Sequence, residues 1–210
     1  MQKLIAIEGN IGAGKTSLAY KLAADFQAEI LLEQFEDNPF LADFYKNPTQ
    51  HAFTTETHFL IQRYNQIQNQ YQRLSEQNKP IIADFCFWKS LIFAQKTLPA
   101  LEYELFRSLF EVINTRLPKP DLLIYITRSP TNLLQNIHQR NRAYEQYITP
   151  DYLSIIEQGY HDFLQLHHGF PCVLVNATDL DLLHNPEHYA QITALLQGIL
   201  VQHTSHTGAH

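Results

Sequence analysis

Residues Gly9, Asn10, Ile11, Gly12, Ala13, Gly14, Lys15 and Thr16 sit between the apolar run Leu4, Ile5, Ala6 and Ile7 and a segment of helical character at 17–26. A glycine, four residues, then glycine, lysine and threonine at a strand-to-helix junction leaves the backbone few options. The glycines let the turn fold into a nest whose N–H groups converge on an anion, at the positive end of the next helix. Gly9 to Thr16, with Ser17, are therefore the residues expected to cradle a nucleoside triphosphate. Lys15 has the reach for the β- and γ-phosphates, and the Thr16 hydroxyl suits Mg2+.

The rest of the chain is consistent with such a cradle. Its 210 residues suit one domain, placed at 1–203, with 204–210 as a small polar disordered tail. The chain is 45% hydrophobic and 17% charged, a globular balance. A net charge of −6, without a run of Lys or Arg, points to small ligands and away from a nucleic-acid polymer. Cys86 and Cys172 lack metal or redox spacing, so a reduced cytoplasmic setting is expected. The chain enters its first strand at once, which gives no signal peptide, and no apolar run reaches the roughly 20 residues that span a membrane. The scattered histidines, His167 and His168 among them, read as surface residues and not as metal ligands.

Apolar runs at 4–8, 29–32, 80–84, 122–126 and 172–175 alternate with helical patterns, notably at 49–77, 100–117 and 150–166. That alternation predicts an α/β chain with a parallel sheet and helices on both faces. Ser129 and Pro130 form a helix start, and the helix runs to about Arg140. Ligands of such sheets sit beyond the carboxyl ends of the strands, where Glu33 and Asp84 fall. Glu33 is placed either as a proton acceptor for a hydroxyl or as a surface carboxylate, and Asp84 either as a holder of Mg2+ or as a loop cap. Arg140 and Arg142, with Glu145 three residues on, either neutralise a moving phosphoryl group or complement a helix C-terminus.

Taken in order, these segments resemble the deoxynucleoside kinases, from residue 7 to about 189. The glycine-rich loop is similar nearly letter for letter. Leu32, Glu33 and Gln34 followed by Asn38, Pro39, Phe40 and Leu41 resemble a second signature, whose Glu is the base for the sugar 5′-hydroxyl. Phe44, Tyr45, Lys46, Asn47 and Pro48 resemble the segment whose Tyr holds the 3′-hydroxyl. Phe53, Thr54, Thr55 and Glu56, with Arg63, fall where the family places its base-reading side chain and a nearby Arg. Arg140 to Glu145 resembles the family lid, whose arginines close on phosphates and whose Glu reaches the 3′-hydroxyl. Asp151, Tyr152 and Leu153, then 176–189 near an adenine-binding loop, continue the likeness. The resemblance implies a P-loop NTPase fold with a five-stranded parallel sheet and an Arg-rich lid. It also implies ATP and Mg2+ as cofactors, a deoxynucleoside acceptor and a homodimer. Catalysis would rest on Glu33, Arg140, Arg142, Lys15 and Asp84, with metal held by Thr16 and Asp84. Substrate would meet Glu33, Tyr45, Glu56, Arg63, Glu145 and Phe87.

The chain departs from the pattern twice. The family follows its third-strand acid with Arg, whereas here Phe85 follows Asp84, and a continuous alignment puts Ala83 in the acid's place. Lys89 is either a replacement cation or, as expected of a lysine, a solvated surface residue. Glu56 stands where most of the family has Gln. An ionised Glu offers only acceptors, which match the N1–H and N2–H2 donors of guanine and repel the adenine N1 acceptor. Protonated, it imitates Gln. Of the aromatics Phe35, Phe40, Phe44, Phe53, Phe59, Phe87 and Trp88, most are expected in the core, with Phe87 or Phe53 against the base. Two rivals remain: a nucleoside monophosphate kinase using Arg63 for the acceptor phosphate, and an ATP-binding protein that has lost catalysis.

Overall fold

The structure, a computed structural model, describes residues 3–34, 38–166 and 169–202. Phe35, His167, His168 and the 204–210 tail lie outside the described residues. Strand β1 (Leu4–Gly9) leads through the glycine-rich loop into α1 (Lys15–Asp25), and β2 is Glu29–Leu31. Then come α2 (Leu41–Lys46), α3 (Pro48–Gln66), α4 (Gln72–Ser75), β3 (Ile81–Ala83), α5 (Lys89–Thr97) and α6 (Ala100–Asn114). Strand β4 (Leu122–Thr127), α7 (Pro130–Arg140), α8 (Pro150–Leu164), β5 (Cys172–Asn176) and α9 (Pro186–Gln202) complete the order. The five strands form one parallel sheet in the order β2-β3-β1-β4-β5, so the chain is an α/β protein with helices on both faces of the sheet. None of the described helices is long and apolar enough to cross a membrane.

The strands follow from burial on two faces. Every residue of β1 is buried, as a central parallel strand requires. Ile5 and Ile7 point to one face, where they meet Leu18 and Leu22 of α1 and Ile192 and Leu196 of α9. Leu4 and Ala6 point to the other, toward clusters fed by α3, α5, α6 and α8. The period of two thus sorts one strand between two helical layers.

Sequence signals for the helix ends have physical counterparts. Ser129 accepts the Asn132 N–H and Pro130 occupies the first turn of α7, while Thr149 caps α8 by accepting from Tyr152 N. The segment 49–77 is not one uniform helix. It widens into a π-helical turn at Ile67–Tyr71 between α3 and α4. Apolar spacing could not reveal that one-turn widening.

The loop after β1 needs glycine at particular places. At Gly12 the backbone is left-handed, φ 85°, and a Cβ would lie 2.6 Å from the Leu133 carbonyl oxygen. Gly14, φ 89°, has nothing within 4 Å of such a Cβ. Replacing Gly14 with Ala should therefore cost only the left-handed penalty, about 1 kcal/mol. Gly12→Ala adds a clash with backbone and should cost about 3 kcal/mol or more. Urea unfolding of the two variants checks this, and equal losses would contradict the packing described.

Candidate active site

The carboxyl ends of β1, β2 and β3 open into a cleft of about 1320 Å3 that is also lined by the loop around Arg140–Glu145. Ile11, Gly12, Gly14, Lys15, Thr16 and Ser17 line it. Gly9, Asn10 and Ala13 stand behind that surface. Asn10 donates to the Leu153 carbonyl at 2.8 Å and to Glu157 at 3.2 Å, and its own oxygen accepts from Ile11 N. Ala13 packs on Leu133 and Ile137. Asn136 donates to the Gly12 carbonyl and Arg128 to the Ala13 carbonyl, so α7 and the residue that follows β4 fix the loop from outside. Lys15 Nζ donates to the carbonyls of Gly9 and Asn10 at 2.9 and 3.1 Å. Burial, then the Lys89 charge, lowers its pKa to about 8, against the pull of Glu8, Glu33 and Asp84.

Asp84 joins the cradle to β2. One oxygen accepts from Thr16 Oγ1 at 2.5 Å and the other from Glu33 N at 2.7 Å. Asp84 directly follows β3, whereas Ala83 pairs inside the sheet with Ala6 and Leu31, so the acid of the site is Asp84. Burial raises its carboxyl, against the Thr16 hydroxyl and Glu33 N–H. A hydroxyl and a carboxylate side by side form a hard oxygen donor pair that fits Mg2+.

Glu33 is the most constrained group. Arg63 donates through Nε and Nη2 to its Oε1 at 2.8 and 2.7 Å, and Lys89 Nζ donates to Oε2 at 2.5 Å. Burial alone would raise the carboxyl, but Lys89 and Arg63, with Lys15 beyond, outweigh it and hold the pKa at about 2. Lys89 is thus buried on α5 and paired, which corrects the expectation of a solvated lysine. Gln66 holds the backbone before and after Glu33, donating to the Leu32 carbonyl and accepting from Gln34 N.

Farther from the loop, Arg63 Nη1 donates to Ser90 at 2.8 Å, and Glu56, also buried, accepts from Thr97 Oγ1 at 3.0 Å. Burial lifts the Glu56 carboxyl to about 7, although Arg63, Thr97 and Lys89 draw it down. Arg140 makes a two-point contact with Glu145, both distances 2.7 Å, and Arg142 lies 3.7 Å from the same carboxylate. Tyr45 sits beside this group, against Tyr152, its phenol raised by burial and by Glu145. Phe87 is misplaced by the sequence reading. It stacks on Phe110 at 5.0 Å in the core and does not line the cleft, nor does Phe53. Phe44, Phe59 and Phe93 supply the aromatic wall instead.

Sequence reasoning also missed Glu8, which is buried under the loop. It accepts from Cys86 N at 2.7 Å and from the Tyr160 hydroxyl at 2.8 Å. An acidic residue interrupting an otherwise apolar central strand was the available signal. Thr97 and Ser90 carried none.

Comparison with known proteins points to one family. The family model described as deoxynucleoside kinase matches residues 5–201. A deoxyguanosine kinase of Bacillus subtilis is 35% identical over 201 residues, 94% of this chain and 97% of that protein. A deoxyadenosine kinase of Dictyostelium discoideum is 32% identical over 90% of this chain and 76% of its own length. Among solved structures, deoxyadenosine kinase from M. mycoides with products dCMP and a flexible dCDP bound superposes with a TM-score of 0.79 at 25% identity. It covers 93% of this chain and 99% of its own.

The clamp on Glu33 has a measurable consequence. Lys89→Met leaves a buried carboxylate with one cation fewer and should lower stability by about 3 kcal/mol at neutral pH. In a Glu33→Gln background the same substitution should cost less than about 1 kcal/mol. A denaturant double-mutant cycle reads the difference, and full additivity would contradict the pairing.

Proposed function

The chain belongs to the deoxynucleoside kinase family, and on that premise we propose that this phosphotransferase moves the γ-phosphoryl group of ATP to the 5′-hydroxyl of a 2′-deoxynucleoside. Purines are favoured and deoxyguanosine is preferred among them. The observation that carries the reading is Glu33, fixed between Lys89 and Arg63 in the same cleft as Lys15.

The cleft exceeds the roughly 300–1,000 Å3 of a site for one small ligand, which supports two substrates end to end. The triphosphate lies over the glycine-rich loop, with Lys15 bridging its terminal phosphates. Thr16 and Asp84 would hold Mg2+, which when bound neutralises charge on the β- and γ-phosphates. The nucleoside lies between Glu33 and Glu56. Glu33 accepts the 5′-hydroxyl proton in a hydrogen bond and aims that oxygen at the γ-phosphorus. A carboxylate held so acidic takes the proton late, and a loose transition state permits this because little nucleophilic bonding is needed early. Lys89 supplies the cation that the family pattern puts directly after the acid. Arg140 and Arg142 exchange Glu145 for the moving phosphoryl group, while Tyr45 and Glu145 hold the 3′-hydroxyl. Glu56 reads the base edge.

Arg63 argues against a monophosphate acceptor. Its guanidinium is engaged by Glu33 and Ser90, so the positive charge that an acceptor phosphate needs is already used. The loss-of-catalysis reading rested on a missing cation, and Lys89 fills that gap. Free Cys86 and Cys172 agree with a reducing cytoplasm.

A homodimer is supported by α6, whose Leu101, Leu105, Leu109 and Val112 form an exposed apolar stripe at helical spacing. Changing both Leu105 and Leu109 to Glu should give a monomer by light scattering. A mass unchanged from that of a dimeric wild type, or a monomeric wild type, would refute this interface.

The catalytic assignment is tested with ATP, Mg2+ and a panel of deoxynucleosides and their monophosphates. Turnover should require the nucleosides, and Glu33→Ala should lose about 100- to 10,000-fold in kcat while ATP affinity stays within about twofold. Faster turnover of monophosphates, or near-normal kcat in the variant, would remove the proposal.

A further inference from the structure

The Thr97 hydroxyl lies 3.0 Å from Glu56 Oε1 and equally 3.0 Å from the Phe93 carbonyl oxygen one turn back on α5. A hydroxyl carries one proton and two lone pairs, so it cannot serve both acceptors at once. If Glu56 is ionised, Thr97 donates to Oε1 and the carboxylate meets the cleft as a bare acceptor. If Glu56 is protonated on Oε1, it donates to Thr97, whose own proton turns to Phe93. With the proton on Oε2, the Thr97 bond to Oε1 is kept and the carboxyl presents one donor and one acceptor. Each state satisfies its hydrogen bonds without moving a heavy atom. Among the described residues Oε2 has no hydrogen-bond partner, and Glu56 lines the cleft whereas Thr97 does not. Oε2 is open to a ligand, and Oε1 keeps a second lone pair beside its bond to Thr97, so both oxygens can meet a base edge.

We propose that Glu56 and Thr97 form a two-state base reader that accepts guanine when the carboxyl is ionised and adenine when it is protonated, with Thr97 setting the balance. This rests on the reading that the base edge meets Glu56. Guanine presents N1–H and N2–H2, two donors, to an acceptor-only carboxylate. Adenine presents the N1 acceptor beside the N6 donor and needs the donor–acceptor pair of the neutral acid. An unpaired group in a buried site discriminates strongly, so the ionised carboxylate rejects adenine and the acid protonated on Oε2 rejects guanine.

The surroundings leave both states accessible near neutrality. Burial disfavours the charge, while Arg63 on the same helix and Thr97 and Lys89 on α5 favour it, and the carboxyl comes to about 7. From α2 and α8, Tyr45 and Tyr152 face it as phenols raised by burial, so they stay neutral over this range. Arg63 is held on Glu33 and Ser90, which keeps it from quenching Glu56 by a direct ion pair.

The experiment is a competition. Deoxyguanosine and deoxyadenosine are mixed with the enzyme, ATP and Mg2+, and the ratio of the two monophosphates formed is followed between about pH 6 and 8. Because both substrates share Glu33, Lys15 and the lid, every pH effect on those groups cancels in the ratio. The guanine-to-adenine ratio should rise about tenfold per pH unit, since the ionised-to-protonated ratio of one carboxyl changes by that factor. Glu56→Gln should make the ratio independent of pH. Thr97→Val removes a donor to the charged form and should lower the ratio at each pH, whereas Thr97→Ser should keep the wild-type curve. A flat wild-type ratio overturns the two-state reader, as does a Thr97→Val curve that matches wild type. If the wild-type ratio is flat yet Glu56→Gln changes the preference, Glu56 still reads the base and only the switch is lost. If Glu56→Gln changes the preference at no pH, the base-reading assignment falls as well.

Discussion

A carboxylate cannot be buried alone, and the way Glu33 is compensated organises this molecule. Desolvating an ion costs several kcal/mol, which only close opposite charges and hydrogen bonds offset. Lys89 from α5 and Arg63 from α3 meet that need on separate oxygens. Two helices far apart in sequence are thereby fixed against the end of β2. The same stretch is tied to the cradle through Asp84, which joins Glu33 N to the Thr16 hydroxyl. The Glu33 carboxylate, its two cations and the glycine-rich loop are thus parts of one hydrogen-bonded assembly, and Glu8 supports its underside.

Two buried glutamates in the same cleft are driven in opposite directions. Glu33, touched by two cations, is held near 2, while Glu56, touched by one hydroxyl and only neighboured by cations, rises to about 7. Environment separates their chemistry, as when one site needs both a fixed charge and an adjustable one. Glu145 is a third case, a buried acid that gathers Arg140 and Arg142.

Much of this was legible in the chain. The fold followed from a run-and-helix alternation that β1, β3 and β4 obey because they are buried on both faces. The left-handed turn between β1 and α1 followed from glycine spacing, and α7 from Ser129 and Pro130. What escaped were facts of the third dimension. Lysine is ordinarily a surface residue, and nothing local shows that Lys89 turns inward toward a carboxylate 56 positions earlier. Phe87 stands close to Asp84 in sequence, yet its ring stacks on Phe110 in the core, away from the cleft. Thr97 belongs to no motif, and its importance appears only once its oxygen is seen between two acceptors. The π-helical turn after α3 inserts a residue without disturbing the apolar pattern that reports helix.

In the proposed complex an uncharged sugar sits with its 5′-oxygen on the Glu33 clamp and its base at Glu56, while phosphates fill the glycine-rich loop. A crystal structure with deoxyguanosine and a non-hydrolysable ATP analogue measures this directly. The 5′-oxygen should lie within hydrogen-bonding distance of Glu33, in line with the γ-phosphorus, with the guanine edge against Glu56. A nucleoside bound elsewhere, or one whose 5′-oxygen points away from Glu33 with the analogue in place, would contradict it.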